Sequence, residues 1–399
     1  MVIRYKHKNK DEHIVGFSLL FGLFMPNGSL FYILTPMMVM YLAWRYFIIS
    51  KTTAARYLII LSILISFILF AFISSETDIS KSLLRNISIV LLLLLFPFVT
   101  NTKLPNIYLY IALSYIFISQ ISYMIGVKQI ISFFNDLYPY EGERTTYQSD
   151  YLESVAHQMS LINRSLRLGG LYKNSNQCAK YLTLILASFM IENYKKTFKQ
   201  NLPFLILFSL SIIATGSRTG FFITLFILIY FFYIKAENKD LAIKLLSVGF
   251  ILVVISSFLF LATSGYLSNL RFLDYEEGLD KSLLTKISIL ANYISSSDNI
   301  LTLLFGNFTN DGINSITFDS EWGESIYRYG IISVFAFAIF YISVFKTLSK
   351  KNRIIFITLL WAISSTMILS FRASFVFMLL LSKYYSEDFI SKYYLKKKY

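Results

Sequence analysis

A single cysteine, Cys178, excludes an internal disulfide and leaves no pairing from which a redox compartment can be read. Set in an apolar run, it suits a small buried packing residue. Histidine is nearly as scarce. His7 and His13 lie in the N-terminal segment and His157 in a polar stretch suited to a surface role, and no spacing matches a metal-ligand set. No metal ion and no cofactor is therefore expected. Charge is also thin: 15% of the 399 residues are Asp, Glu, Lys or Arg, 56% are hydrophobic, and the mean hydropathy is +0.59. So apolar a chain leaves little for a water-soluble domain. What it has in abundance is stretches long enough to cross about 30 Å of hydrocarbon as helices.

Those stretches fall at about 14–25, 30–49, 57–73, 83–99, 105–125, 176–191, 202–215, 221–234, 241–263, 322–345, 354–370 and 373–381. They predict an all-α polytopic membrane protein of about twelve transmembrane helices, one integral membrane domain over 1–399. Arg4, Lys6, Lys8 and Lys10 ahead of the first stretch imitate a signal peptide. Pro26-Asn27-Gly28 offers no small-residue cleavage pattern, however, and a second span follows at once, so an uncleaved pair of spans is expected.

Lys and Arg set the orientation. They concentrate at Lys195, Lys196 and Lys199, at Lys346, Lys350, Lys351 and Arg353, and at Lys396, Lys397 and Lys398, which places both termini in the cytoplasm. The net charge of +14 is then a product of membrane orientation, and nucleic acid drops out as a partner. Two large polar loops, 127–175 and 264–318, fall on the outer face, while every inner loop is short. Within the first, 150–168 has the mixed spacing of an amphipathic helix lying on membrane lipids. No low-complexity tract and no inverted repeat of the transporter kind is found.

Chemistry is then sought on the outer face. Gly216-Ser217-Arg218-Thr219-Gly220 is a charged turn between two apolar spans. A guanidinium there is costly to desolvate and marks a functional site or, equally, an interfacial Arg that binds lipid phosphate. The first large loop ends in Arg164, Arg167, Gly169, Gly170, Lys173, Asn174 and Asn176 just before a helix start. Fixed cations and a helix N-terminus favour an anion there, and the alternative is a solvated basic loop pairing with Glu141, Glu143 or Glu153. Arg372 comes out on the same side. A second cluster, Asp319-Ser320-Glu321-Trp322-Gly323-Glu324, leads into the span holding Arg328 and Gly330. Glu324 and Arg328 are four apart and can simply pair. Asp319 and Glu321 are not accounted for that way, and a carboxylate beside arginines suits a general base acting on a sugar hydroxyl.

Together these segments resemble the O-antigen polymerase and O-antigen ligase superfamily. The family pattern of an Arg, a Gly, then Asn-Pro-Asn and a small residue is matched by Arg167, Gly170, Asn174, Asn176 and Ala179, with Ser175 where proline is usual. Its Ser-Arg pair is matched by Ser217 and Arg218. Where the ligase branch carries a His-Asn-like pair ahead of Gly-x-x-Gly, this chain has Asp319-Ser320, then Gly330, with Ser333 replacing the second glycine. The missing histidine favours polymerase over ligase. No Arg is followed by a Gly after fifteen intervening residues, a pattern of some polymerase loops, so those loop roles do not transfer.

The resemblance implies a metal-independent GT-C-like glycosyltransferase in the bacterial inner membrane, its active site facing the periplasm. Donor and acceptor would be undecaprenyl-diphosphate-linked oligosaccharides, with a chain-length regulator protein as a further partner. Arg218, Arg167, Arg164 and Arg372 would bind the diphosphate, and Asp319, Glu321 or Glu324 would supply the base. Gly170, Asn174, Asn176, Ser217 and Gly330 would support the loops and turns. A ligase sharing the donor site, and a transporter of lipid-linked sugars, are the other readings. A transporter should carry ionisable groups near mid-span, whereas the charges here gather at the outer edge.

Overall fold

The computed structural model of the protein describes residues 13–26, 34–35, 37–38, 41, 104–126, 128–137, 168–172, 175–236, 303–304, 321–363 and 371–395. Regular structure among the described residues is entirely helical, so the fold they form is all-α. The helices are α1 (Ile14–Phe24), α2 (Asn106–Ile125), α3 (Lys128–Leu137), α4 (Ser175–Glu192), α5 (Phe198–Ala214), α6 (Arg218–Lys235), α7 (Glu321–Thr347), α8 (Ile354–Ile357) and α9 (Phe371–Leu395). By length and composition, one of them, Asn106–Ile125, is long and apolar enough to cross a membrane. Ile14–Phe24, Lys199–Ala214, Thr219–Lys235 and Ala338–Thr347 are shorter apolar helices.

Wherever a predicted stretch falls on described residues it is helical, but several boundaries move. The 202–215 stretch begins four residues early, at Phe198, because the Thr197 backbone N–H donates to the Gln200 side chain (3.1 Å) and closes the first turn. The 354–370 stretch is α-helical only over Ile354–Ile357 and then tightens into a 3-10 helix at Thr358–Ile363. The 373–381 stretch lies in the N-terminal half of a 25-residue helix. The stretches at 57–73, 83–99 and 241–263, and most of 30–49, lie outside the described residues, as does the loop 264–318 apart from 303–304. The amphipathic segment 150–168 is also outside them, save Leu168. The amphipathic helix that is described in this loop is α3, which follows α2 across Gly126 (φ 77) and buries Ile131 and Phe134 while exposing Ile130 and Phe133.

The chain divides into two compact units: Met1–Leu23 with Tyr32–Pro105 and Leu279–Tyr399, and Phe24–Phe31 with Asn106–Gly278. In the second, α4 is the central element. Every residue from Cys178 to Ile191 is buried, against α2, α5 and α6. Phe189 stacks on Phe204 with ring centres 3.6 Å apart, and Tyr110 meets both rings edge-on. At one end of this bundle the Asn106 and Asn193 amides exchange hydrogen bonds of 2.7 and 2.9 Å. There too the Tyr194 hydroxyl donates to the Ile234 carbonyl (3.1 Å), and the Lys235 ammonium donates to the Lys196 carbonyl. Helix ends that the charge bias assigns to one face thus meet. The far end of α4 is about 27 Å away along its axis.

In the first unit α9 is the buried element, from Arg372 to Tyr385. Glycine brings α1 against it: a Cβ on Gly22 would stand 2.8 Å from both Phe375 and Val376 side chains. Helix α7 is broken at Gly330, whose φ of 72° and ψ of 170° are outside the helical region. Past its end, the turn at 348–353 is tied to α9. Lys351 pairs with Glu387 (2.7 Å), the Ser349 N–H donates to Asp388 Oδ2 (2.6 Å), and the Asn352 amide donates to the Tyr384 carbonyl (3.2 Å). Burial pushes the Glu387 carboxyl up, but Lys383 and Lys351 outweigh it and hold it below its ordinary range.

Candidate functional site

The Ser217-Arg218 turn is built by two helix ends. Helix α5 closes through Gly216, whose φ of 58° is the left-handed conformation that ends a helix and that glycine adopts without strain. Ser217 then starts α6: its backbone is extended (φ −84°, ψ 110°) and its hydroxyl oxygen accepts from the Gly220 N–H at 3.2 Å. The same hydroxyl donates to Asn176 Oδ1 at 2.9 Å. Asn176 is the second residue of α4, so this bond fastens the N-terminal ends of α4 and α6 side by side. One turn further in they touch. A Cβ on Gly220 would come within 2.7 Å of the Ala179 Cβ, an approach open only to glycine. Two aligned helix N-termini bring their positive dipole ends into one place, a setting that favours an anion. Arg218 is the first residue of α6.

The end of the first large loop packs into the same corner. Leu168, Gly169, Gly170 and Leu171 are buried, although the backbone is not α-helical there. Each polar group in such a segment needs a partner. The Leu168 N–H donates to the Ala214 carbonyl (2.8 Å), and the Leu168 carbonyl accepts from the Gln120 amide (3.1 Å). The Leu171 N–H donates to the Ser119 hydroxyl at 3.2 Å, and Tyr172 N–H to the Gly169 carbonyl at 3.2 Å. Gly170 has φ 56°, and a Cβ there would stand 2.4 Å from Ser119 Oγ. Backbone conformation and space both require glycine.

Of the residues singled out from the sequence, Gly170, Asn176, Ser217 and the Arg218 backbone are therefore brought together in the second unit. Arg164, Arg167 and Asn174 lie outside the described residues, as does Asp319. The backbones of Glu321 and Glu324 open helix α7 in the first unit, and Gly330 is its break. Arg372 belongs to that unit too. It is buried, and its Nη1 donates to the Leu23 carbonyl at 3.0 Å, capping the C-terminal end of α1. A cation at that end also meets the negative pole of the helix dipole.

Three residues at the corner were missed by the sequence reading: Ser119 and Gln120 of α2, and Lys180, buried one turn inside Asn176 on α4. Each is a polar group within an apolar run, and that alone marks it. Among the described residues no group of three His, Cys, Asp or Glu stands close enough to hold a metal ion. Compared with known proteins, the chain matches no family model, no curated protein and no solved structure.

Proposed function

We propose that the chain is a polytopic membrane glycosyltransferase of the O-antigen polymerase kind, acting on undecaprenyl-diphosphate-linked sugars at the periplasmic face of the bacterial inner membrane. One observation carries the reading. Gly170, Asn176, Ala179 and Ser217, matched to the family pattern as separate pieces of sequence, pack into one corner around two helix N-termini. The apolar outer faces add support. Helix α5 buries Phe204, Phe208 and Ile212 yet exposes Leu202, Ile206, Leu210 and Ile213 along its opposite side. An apolar stripe on both faces suits a helix between protein and lipid.

In the proposed reaction, a hydroxyl oxygen of the acceptor repeat unit attacks the anomeric carbon of the growing glycan. The bond from that carbon to the lipid diphosphate breaks, and the diphosphate leaves with the electron pair. Arg218, with Arg164 and Arg167 as the further cations of the scheme, stabilises the charge that develops on it. Asp319, with Glu321 and Glu324 as the neighbouring carboxylates, takes the hydroxyl proton. A scheme that relies on cations, in a sequence without metal-ligand spacing, predicts turnover that chelators leave intact.

Purified protein supplied with lipid-linked repeats tests this directly. Arg218→Ala and Asp319→Asn should each lower turnover by about 10²–10³, the cost of removing a group that acts in the transition state. Wild-type rates in both variants would remove the scheme. In cells, loss of the gene should leave surface glycan as single-repeat caps. Uncapped acceptor would point instead to a ligase, and precursor trapped inside to a flippase.

A further inference from the structure

We infer that Gln120 is a positioning residue for the Arg218 turn, an inference that rests on the functional reading above. The argument starts from the end of α5, which leaves four carbonyls, Ser211 to Ala214, with no partner inside the helix. Two are satisfied locally: the Ile212 carbonyl accepts from the Thr215 N–H and hydroxyl (3.2 and 2.7 Å), and the Ile213 carbonyl accepts from the Gly216 N–H (2.9 Å). The other two are satisfied from far along the chain. The Ser211 carbonyl accepts from the Gln120 amide (3.1 Å) and the Ala214 carbonyl from the Leu168 N–H (2.8 Å).

Leu168 is itself held by Gln120, since the amide nitrogen that donates to Ser211 also donates to the Leu168 carbonyl at 3.1 Å. Both N–H bonds of one side-chain amide are thus spent on the end of α5 and on the loop segment that caps it, and Cys178 Sγ lies 3.6 Å from the same nitrogen. Turning the amide over would point Oε1 at two carbonyls, so the network admits one orientation. Among the described residues Oε1 itself meets no hydrogen-bond partner. Gly216, Ser217 and Arg218 follow directly from the capped end, so the direction in which Arg218 leaves α5 is set by Gln120. Ser119 completes the socket by accepting from Leu171.

The test uses the full chain in lipid nanodiscs, with undecaprenyl diphosphate as the probe. Gln120→Met keeps the length and removes both donors, and should weaken binding about tenfold, because a misplaced cation loses much of its contact. Arg218→Ala should weaken it at least as much. The double variant should bind no more weakly than Arg218→Ala alone, since the amide acts through that arginine. In parallel, amide hydrogen exchange at Leu168 and Leu171 should speed up in Gln120→Met, and at Leu171 alone in Ser119→Ala, a milder change that keeps the test open should Gln120→Met fail to fold. Additive losses in the double variant, or unchanged exchange at Leu168, would overturn the inference. If the wild-type protein does not bind the probe, the functional reading fails instead. The exchange measurements still decide whether Gln120 holds the loop end.

Discussion

At the scale of single residues, Ser217 does two jobs with one hydroxyl, accepting from Gly220 and donating to Asn176. Ser217→Ala should cost about 1–2 kcal/mol for the lost cap, read as a lower thermal midpoint, and Ser217→Thr should recover most of it. A midpoint unchanged in the alanine variant would show that the bond to Asn176 and the cap contribute nothing. Gly170→Ala should be the harsher change, because it meets both a positive φ and a Cβ position 2.4 Å from Ser119 Oγ. The sequence made Gly170, Asn176 and Ser217 visible as motif positions, since glycine and capping residues carry local chemistry that can be read in place. Their partners were not visible. Ser217 and Asn176 are 41 residues apart, and Gln120 reaches 48 and 91 residues along the chain. No local pattern encodes pairings of that separation.

At the scale of elements, helices were easy to find and hard to delimit. Existence follows from long apolar runs, but a run that is apolar on all sides has no phase, so it tells neither which face packs inward nor where a turn tightens. That is why the apolar run starts later than α5 does, although Thr197 and Gln200 stand at the spacing of a capping box, and why nothing in the run announces the narrowing at Thr358–Ile363. The contact between α4 and α6 rests on Gly220 facing Ala179, so Gly220→Leu should drive the two N-terminal ends apart and break the Ser217–Asn176 bond. Loss of the lipid-diphosphate reaction with the chain still folded would fit this, and full activity would exclude it. The link between the 348–353 turn and α9 is electrostatic instead. Because Glu387 is held below its ordinary value of 4.5, its contribution to stability is complete above that pH and is lost as pH falls through the folded-state value. The thermal midpoint of wild type should exceed that of Glu387→Gln at pH 7, and the gap should close on acidification. A gap that persists well into acid would mean that Glu387 acts through packing and not through its charge.

At the scale of the whole molecule, the proposal stands on sidedness, and the chain is well suited to measuring it. Its one cysteine is buried, so the wild-type protein should be silent to thiol reagents. Two exposed positions then report the two faces. Gln177, in the first turn of α4, adjoins the Asn176–Ser217 corner, and Lys350 lies in the turn tied to Glu387 and Asp388. The positive-inside bias assigns the first to the periplasm and the second to the cytoplasm. Within the second unit the Asn106, Asn193 and Lys235 ends gather at one extreme of the bundle and the Gly170, Asn176 and Ser217 ends at the other. The distance between them along α4, about 27 Å, is close to the thickness of a hydrocarbon layer. A membrane-impermeant maleimide applied to intact spheroplasts should therefore label Gln177→Cys, and should label Lys350→Cys only after the cells are opened. The reverse pattern would put Arg218 in the cytoplasm, where no lipid-linked glycan awaits polymerisation, and the glycosyltransferase reading would fall with it.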